Sequence, residues 1–164
     1  MYKLVVSALA LLALPALGEE AIITGNVESK CQINTDVNGV FGNPTAGTLS
    51  TLPTDGGVMP IIRYDVALGE AYTARVTAPN SFSTSPTLND TVVWTSDVEV
   101  SEVSDTAMSD YETDKIQYEY TTEFDLHTAG STWFKVTSKA EYGYGKSFPG
   151  GQYRAIVMAE CIAN

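Results

Sequence analysis

Histidine occurs once in the 164 residues, at position 127, and cysteine only twice, at 31 and 161. One histidine leaves a single candidate base for a Ser-His-Asp arrangement and removes the multi-histidine ligand sets of catalytic zinc sites. No CxxC pair is present, so zinc ribbons and thioredoxin-like redox motifs are excluded. Basic residues are scarce too, with 9 Lys and Arg against 20 Asp and Glu. A chain of that sign repels phosphate backbones and anionic lipid, so neither nucleic acid nor a membrane surface is an expected partner. No apolar run reaches the ~20 residues that cross a bilayer, so membrane insertion is not expected. Helical periodicity is nearly absent, and no internal repeat or interdomain linker divides the chain.

What is present begins with an address label. Lys3 supplies a short positive start, residues 4–14 are apolar apart from Ser7, and Pro15 precedes Ala16-Leu17-Gly18. Small residues at −3 and −1 before a cut after Gly18 fit a cleaved signal peptide over 1–18, and Glu19-Glu20 end the apolar run. No cysteine follows that cut, which argues against a lipid anchor. The chain is therefore expected to be exported, to a periplasm, a cell-surface fibre or the extracellular medium. Residues 19–164 are long enough for one domain with a substantial core, and without Lys3 they carry a net charge of −12. In an oxidising compartment an isolated cysteine pair predicts a Cys31–Cys161 disulfide, two free thiols being the alternative.

Period-two alternation dominates. Ile116, Tyr118, Tyr120, Thr122, Phe124 and Leu126 interleave with Lys115, Gln117, Glu119, Thr121, Glu123 and Asp125, as in a strand with one face on a core. Tyr72, Ala74, Val76 and Ala78 alternate similarly, as do Thr132, Phe134 and Val136. Residues 151–163 carry apolar groups on both faces, which predicts a strand covered on both sides or one near an interface. Turn chemistry separates the runs at Asn38-Gly39, Asn43-Pro44, Asp55-Gly56-Gly57, Ala129-Gly130 and Pro149-Gly150-Gly151. These signals predict strands at 21–29, 58–68, 70–78, 91–101, 115–126, 131–140 and 151–163, with a short one near 37–41. About seven or eight strands without helices predict an all-β antiparallel sandwich, immunoglobulin-like; a closed barrel is the alternative. The Ser, Thr and Asp-rich stretches 43–57, 79–91 and 102–114 read as long loops.

Chemistry-bearing patterns are thin. His127 stands at a strand end before a Gly turn, with no Gly-x-Ser-x-Gly elbow to accompany it. Carboxylates are too numerous for any two to be singled out as a glycosidase pair. Asp105, Asp110, Glu112 and Asp114 could ligate Ca²⁺, yet their spacing is not that of an EF-hand, and no metal or other cofactor is expected. Asn89-Asp90-Thr91 has the N-glycosylation form. Tyr142 and Tyr144, on a Gly-flanked loop, can either stack on sugar rings or cover the open end of a sandwich, and Trp94 and Trp133 read as core or edge anchors.

Two terminal segments carry a resemblance. Residues 22–33, with Gly25-Asn26-Val27 and then Cys31, resemble the first strand of chaperone–usher fimbrial subunits. Pro149-Gly150-Gly151-Gln152-Tyr153 and the alternation after it resemble the closing strand of that family, and Gly151-Gln152-Tyr153 is also similar to the spore coat protein U-like secreted pilins. The resemblance implies a non-enzymatic, structural or adhesive subunit assembling by strand addition, with Ile23, Gly25, Val27, Gly151, Tyr153 and Val157 at the assembly interface. Its partners would be other pilin-like subunits or itself, with a periplasmic chaperone. Three features depart from the family: the second cysteine lies in the last strand, Ala163 replaces a penultimate aromatic, and only Glu19-Glu20 precede the first predicted strand. Residues 19–27 are then the donor, or the chain does not donate, or the sandwich is complete in itself. A monomeric secreted module binding carbohydrate or another surface ligand through Tyr142 and Tyr144 is the alternative function, and an acidic extracellular hydrolase a third.

Overall fold

The computed structural model describes residues 30–70 and 72–164. The signal peptide, the strand predicted at 21–29 and its residues Ile23, Gly25 and Val27 lie outside them. Ten strands among the described residues form two antiparallel sheets packed face to face. The first sheet holds β1 (Cys31–Val37), β2 (Gly42–Thr45), β3 (Thr48–Ser50), β4 (Ile61–Val66), β6 (Val92–Val103) and β9 (Gly130–Tyr142). The second runs β10 (Met158–Ala163), β5 (Tyr72–Thr77), β8 (Thr121–Asp125), β7 (Ile116–Tyr118).

β9 organises the first sheet. Its 13 residues pair along one edge with β6, from Val92↔Tyr142 to Val103↔Thr132. The other edge is shared end to end, by β4 against Gly130 to Lys135 and by β3 against Lys139 to Glu141. The alternation read from the sequence puts Thr132, Phe134, Val136, Ser138 and Ala140 inside. Trp133, Lys135 and Lys139 face outward. Opposing them are Ala74 and Val76 of β5 and Thr122 and Phe124 of β8, all buried. The sandwich of two antiparallel sheets is thus as expected, with strands close to those predicted at 58–68, 70–78, 91–101 and 131–140.

Four expectations are corrected. The run 115–126 is a hairpin: Tyr118 pairs with Thr121 and the chain reverses at Glu119-Tyr120. Glu119 takes a φ of 54°, the positive value a two-residue hairpin turn needs. Ile116 and Tyr118 are consequently exposed, while Thr122 and Phe124 are buried. Stretch 43–57 contains the β2–β3 hairpin, and in the region near 37–41 Val37 ends β1 while the rest makes only the Val40↔Val58 bridge. The stretch 102–114 is more than a surface loop: two short helical turns, Thr106–Met108 and Tyr111–Asp114, turn Met108 and Tyr111 into the interior. Lastly, only Met158–Ala163 of the segment 151–163 forms a ladder, and its apolar outer face, Ile156 and Met158, is exposed rather than covered.

The core divides in two. One cluster is Ile62, Tyr64, Val66, Ala74, Val76, Val98, Met108, Phe124, Phe134 and Val136, and Tyr64 and Phe134 have no exposed surface. The Tyr64 hydroxyl spans the sheets, 3.0 Å from Arg75 O and 3.2 Å from Glu160 O, and burial raises its pKa far above the ordinary tyrosine range. The other cluster is Leu49, Trp94 and Ala140, ringed by half-buried Phe41, Phe82, Phe148 and Tyr153. Phe82 sits at its centre, with Trp94, Tyr153 and Phe148 edge-on at 4.7, 5.1 and 5.9 Å. Trp133, by contrast, lies on the outer face, donating to Asp36 and lying under Arg63.

Candidate functional site

A sandwich of two open sheets has two lateral seams, each with an edge strand from either sheet. The chain treats them differently.

The β6 and β7 seam is sealed by side chains. Lys115 donates to Val98 O at 2.9 Å and to Glu112 Oε1 at 2.6 Å, while Glu112 Oε2 accepts the Val100 N–H at 2.7 Å. Gln117 adds a bond to Asp97. The outward backbone groups of β6 at Val98 and Val100 are therefore engaged, and a charged pair covers the edge against another strand.

At the β1 and β10 seam the first residues are crosslinked. Cys31 opens β1, Cys161 lies in β10, and their disulfide holds the Cα atoms 6.3 Å apart across 130 positions of sequence. An oxidising environment follows from that bond. Beyond it β1 and the chain leading back from β10 diverge, and a cleft of about 610 Å³ opens between the sheets. One wall is Val40, Phe41 and Ile62, the other Tyr153, Ala155 and Val157. Neither β1 nor β10 pairs with a further strand on its outer side among the described residues.

The wall formed by 151–157 is extended but unladdered. Only Arg154 bonds laterally, bridging Thr84 through backbone bonds of 2.9 and 3.2 Å. Between Ala155 and Val157 no backbone hydrogen bond is made to the described residues. Tyr153 is fixed by donating to Pro149 O at 2.7 Å, and burial raises its pKa. Gly151 has a φ of 155°, and a Cβ there would stand 2.5 Å from Pro86 Cγ, so the close approach of the 81–86 strap requires glycine. Gly151, Tyr153 and Val157, singled out from the sequence, thus come together along one wall of this cleft. The facing wall, Val40 and Phe41, was not foreseen; its only signal is an apolar pair after the Asn38-Gly39 turn.

The remaining candidates disperse. His127 is held by Asp110 at 3.1 Å and by Thr128 Oγ1 at 2.9 Å, with the Tyr111 ring edge-on at 4.8 Å. That arrangement clasps the 102–114 stretch to the end of β8, and His127 lines neither the 610 Å³ cleft nor the second cavity treated below. The acidic residues of that stretch serve separate partners: Asp105 caps Ala107 N, Asp110 meets His127, and Glu112 meets Lys115. Among the described residues no three His, Cys, Asp or Glu side chains are grouped to hold a metal ion, and no helix is long and apolar enough to cross a membrane. Tyr142 is buried, stacked on Phe148, its hydroxyl accepting the Asn89 N–H at 2.9 Å. Tyr144 is fully exposed. No protein-family model, curated protein or solved structure matches the chain.

Proposed function

We propose that the protein is an exported structural subunit, an immunoglobulin-like sandwich that assembles with pilin-like partners or further copies of itself by β-strand addition, and that it performs no catalysis. The open half of the β1 and β10 seam carries this reading. An edge that is ladder-free among the described residues, lined by alternating inward side chains and backed by a largely apolar cleft has the two needs an added strand meets. The strand's main chain pairs with the edge, and its alternate side chains fill the cleft. The charged cover over Val98 and Val100 at the opposite seam supports the same view, because it disfavours strand addition there.

The segment ahead of β1 supplies a donor of fitting composition. Residues 21–28 alternate Ile23, Gly25 and Val27 against Ile22, Thr24 and Asn26. Lys30 O accepts from Ala67 N at 3.0 Å, so the pairing of β1 with the β4 side extends one residue ahead of Cys31. The cleft extends from the disulfide toward Gly151, ten residues from Cys161 or roughly 33 Å of extended chain at 3.3 Å per residue. In this reading the segment enters a neighbour's cleft, a head-to-tail contact that builds open fibres rather than closed rings.

Size-exclusion chromatography of the purified protein, with and without a synthetic peptide of residues 19–30, tests the reading. Concentration-dependent oligomers that the peptide caps are expected. A sharp monomer with two-state unfolding that the peptide leaves unchanged would sink it.

A further inference from the structure

The pole of the sandwich farthest from the disulfide presents a second feature, independent of strand addition. β9 spans about 40 Å, at 3.4 Å per residue, between Gly130 beside the crosslinked end and Tyr142 at this pole. Residues 143–147 then form a loop that is pinned on both sides. Tyr142 N donates to Gly47 O at 3.0 Å and Phe148 N to Ala46 O at 2.8 Å, fixing the loop's two ends to the β2–β3 turn. Gly143 N donates to Thr91 O at 3.1 Å, and the Lys146 ammonium is paired with the Asp90 carboxylate across the loop. That pairing holds the Asp90 pKa below the ordinary carboxylate range. Gly143 and Gly145 take φ values of 43° and 68°, and a Cβ on Gly143 would stand 3.0 Å from both Asp90 and Lys146.

Between these glycines stands Tyr144, with relative exposure of 105 %. An aromatic ring fully in water contributes nothing to the core, and a tethered loop that holds it there is preorganised for a contact outside the molecule. Beside it lies an open cleft of about 770 Å³, walled by Thr45, Thr48, Thr91, Ser147, Asp90 and Glu141. The wall offers hydroxyl and carboxylate groups, and apart from Tyr144 its one exposed large hydrophobic residue is Val93.

We propose that this cleft binds a neutral carbohydrate, with Tyr144 stacking on the C–H face of a sugar ring and the surrounding oxygens bonding its hydroxyls. The chemistry selects this ligand. A ligand seated here must show one apolar face to the ring and many hydroxyls to the wall, which sugars do. A protein partner would call for a contiguous apolar patch around the aromatic anchor, and the wall is polar. Asp90 and Glu141 are each neutralised by a lysine, Lys146 and Lys139, so the cleft holds no unpaired cation for a phosphate or sialate among these four, and the chain's net charge of −11 disfavours such ligands.

The purified protein is applied to an array of neutral gluco-, galacto- and manno-configured oligosaccharides, and the best binder is titrated calorimetrically against wild type, Tyr144→Ala and Tyr144→Phe. Binding at least tenfold weaker in Y144A, retained in Y144F, with the thermal midpoint unmoved in both, is the expected result. No binding to any neutral glycan, or equal binding by Y144A, overturns the proposal. So does a Y144A defect confined to oligomerisation, which would make Tyr144 a protein contact. Because the cleft at the seam is untouched by these substitutions, failure here leaves the assembly test standing, and the reverse holds.

Discussion

The two seams of this sandwich meet the same physical problem with opposite solutions. At β6, the outward backbone groups of Val98 and Val100 are satisfied by Lys115 and Glu112, a charged cover in the middle of the edge. At β1 and β10 one covalent bond closes the first turn of the seam, and the rest is left apart with apolar residues on both walls. Exposed edges invite promiscuous pairing, and the lysine–glutamate cover over β6 is a barrier to it that β1 and β10 lack among the described residues. Charged side chains also lie on β1 and β10, Asp36 with Arg63 and Glu160 with Arg75, but there they pair with neighbouring strands of their own sheets.

Breaking the crosslink should have the largest effect. Cys31→Ser with Cys161→Ser removes a closure of 130 positions, worth about 4–5 kcal/mol by loop entropy. Denaturant unfolding of wild type, reduced wild type and the double variant reads it; a loss under about 1 kcal/mol would mean the seam is held by packing alone. The sealed edge is probed by Lys115→Met, which leaves Glu112 and Val98 O without their shared donor. A cost of about 1–3 kcal/mol is expected, with new self-association through β6 seen by light scattering. Tyr64→Phe takes away the hydroxyl that reaches Arg75 O and Glu160 O beneath the open seam, and should cost about 1 kcal/mol in the same unfolding assay.

The smallest effect is a pH dependence on the outer face of the second sheet. Arg75 bonds Glu123 at 2.7 Å and reaches Glu160 at 3.6 Å, tying β5 to β8 and β10. The Arg75 hydrogen bond, helped by Tyr118, holds the Glu123 pKa below the ordinary glutamate range. A depressed folded-state pKa contributes stability that is present above the unfolded value and lost as pH falls through the folded one. Thermal midpoints should therefore drop on acidification below the ordinary glutamate range, and less steeply in Glu123→Gln. Parallel curves would show that this strap adds nothing to the hold on β10.

Much of this was legible in the residues, and the exceptions have definable causes. Phe134 with Val136 and Ala74 with Val76 alternate against polar neighbours, so β9 and β5 could be read directly. The crosslink was expected from an isolated cysteine pair behind a signal-peptide-like start. The Glu119-Tyr120 reversal was hidden because a two-residue turn preserves period two: Tyr118 and Tyr120 continue the pattern that Thr122 and Phe124 begin. β2 and β3 were hidden by composition, since Asn43, Pro44 and Thr45 read as turn residues. Met108 and Tyr111 are single apolar residues without a period, so their inward plug left no trace. In the candidate site, Tyr153, Ala155 and Val157 were visible as an alternating wall. Their apparent two-sidedness came from Ile156 and Met158, which are apolar yet exposed. The seal at β6 joins Val98 to Glu112 and Lys115 through space, which no local pattern records.

The sulfur bridge has one more consequence, a mechanical one. Tension applied between the residues ahead of Cys31 and those after Cys161 passes through two sulfur atoms, and the stretch between them, both sheets included, carries none of the load. A chain pulled from positions on either side of the bridge can therefore lengthen only outside it, and between those two points the sandwich stays folded at forces that would unravel the same ladders without it.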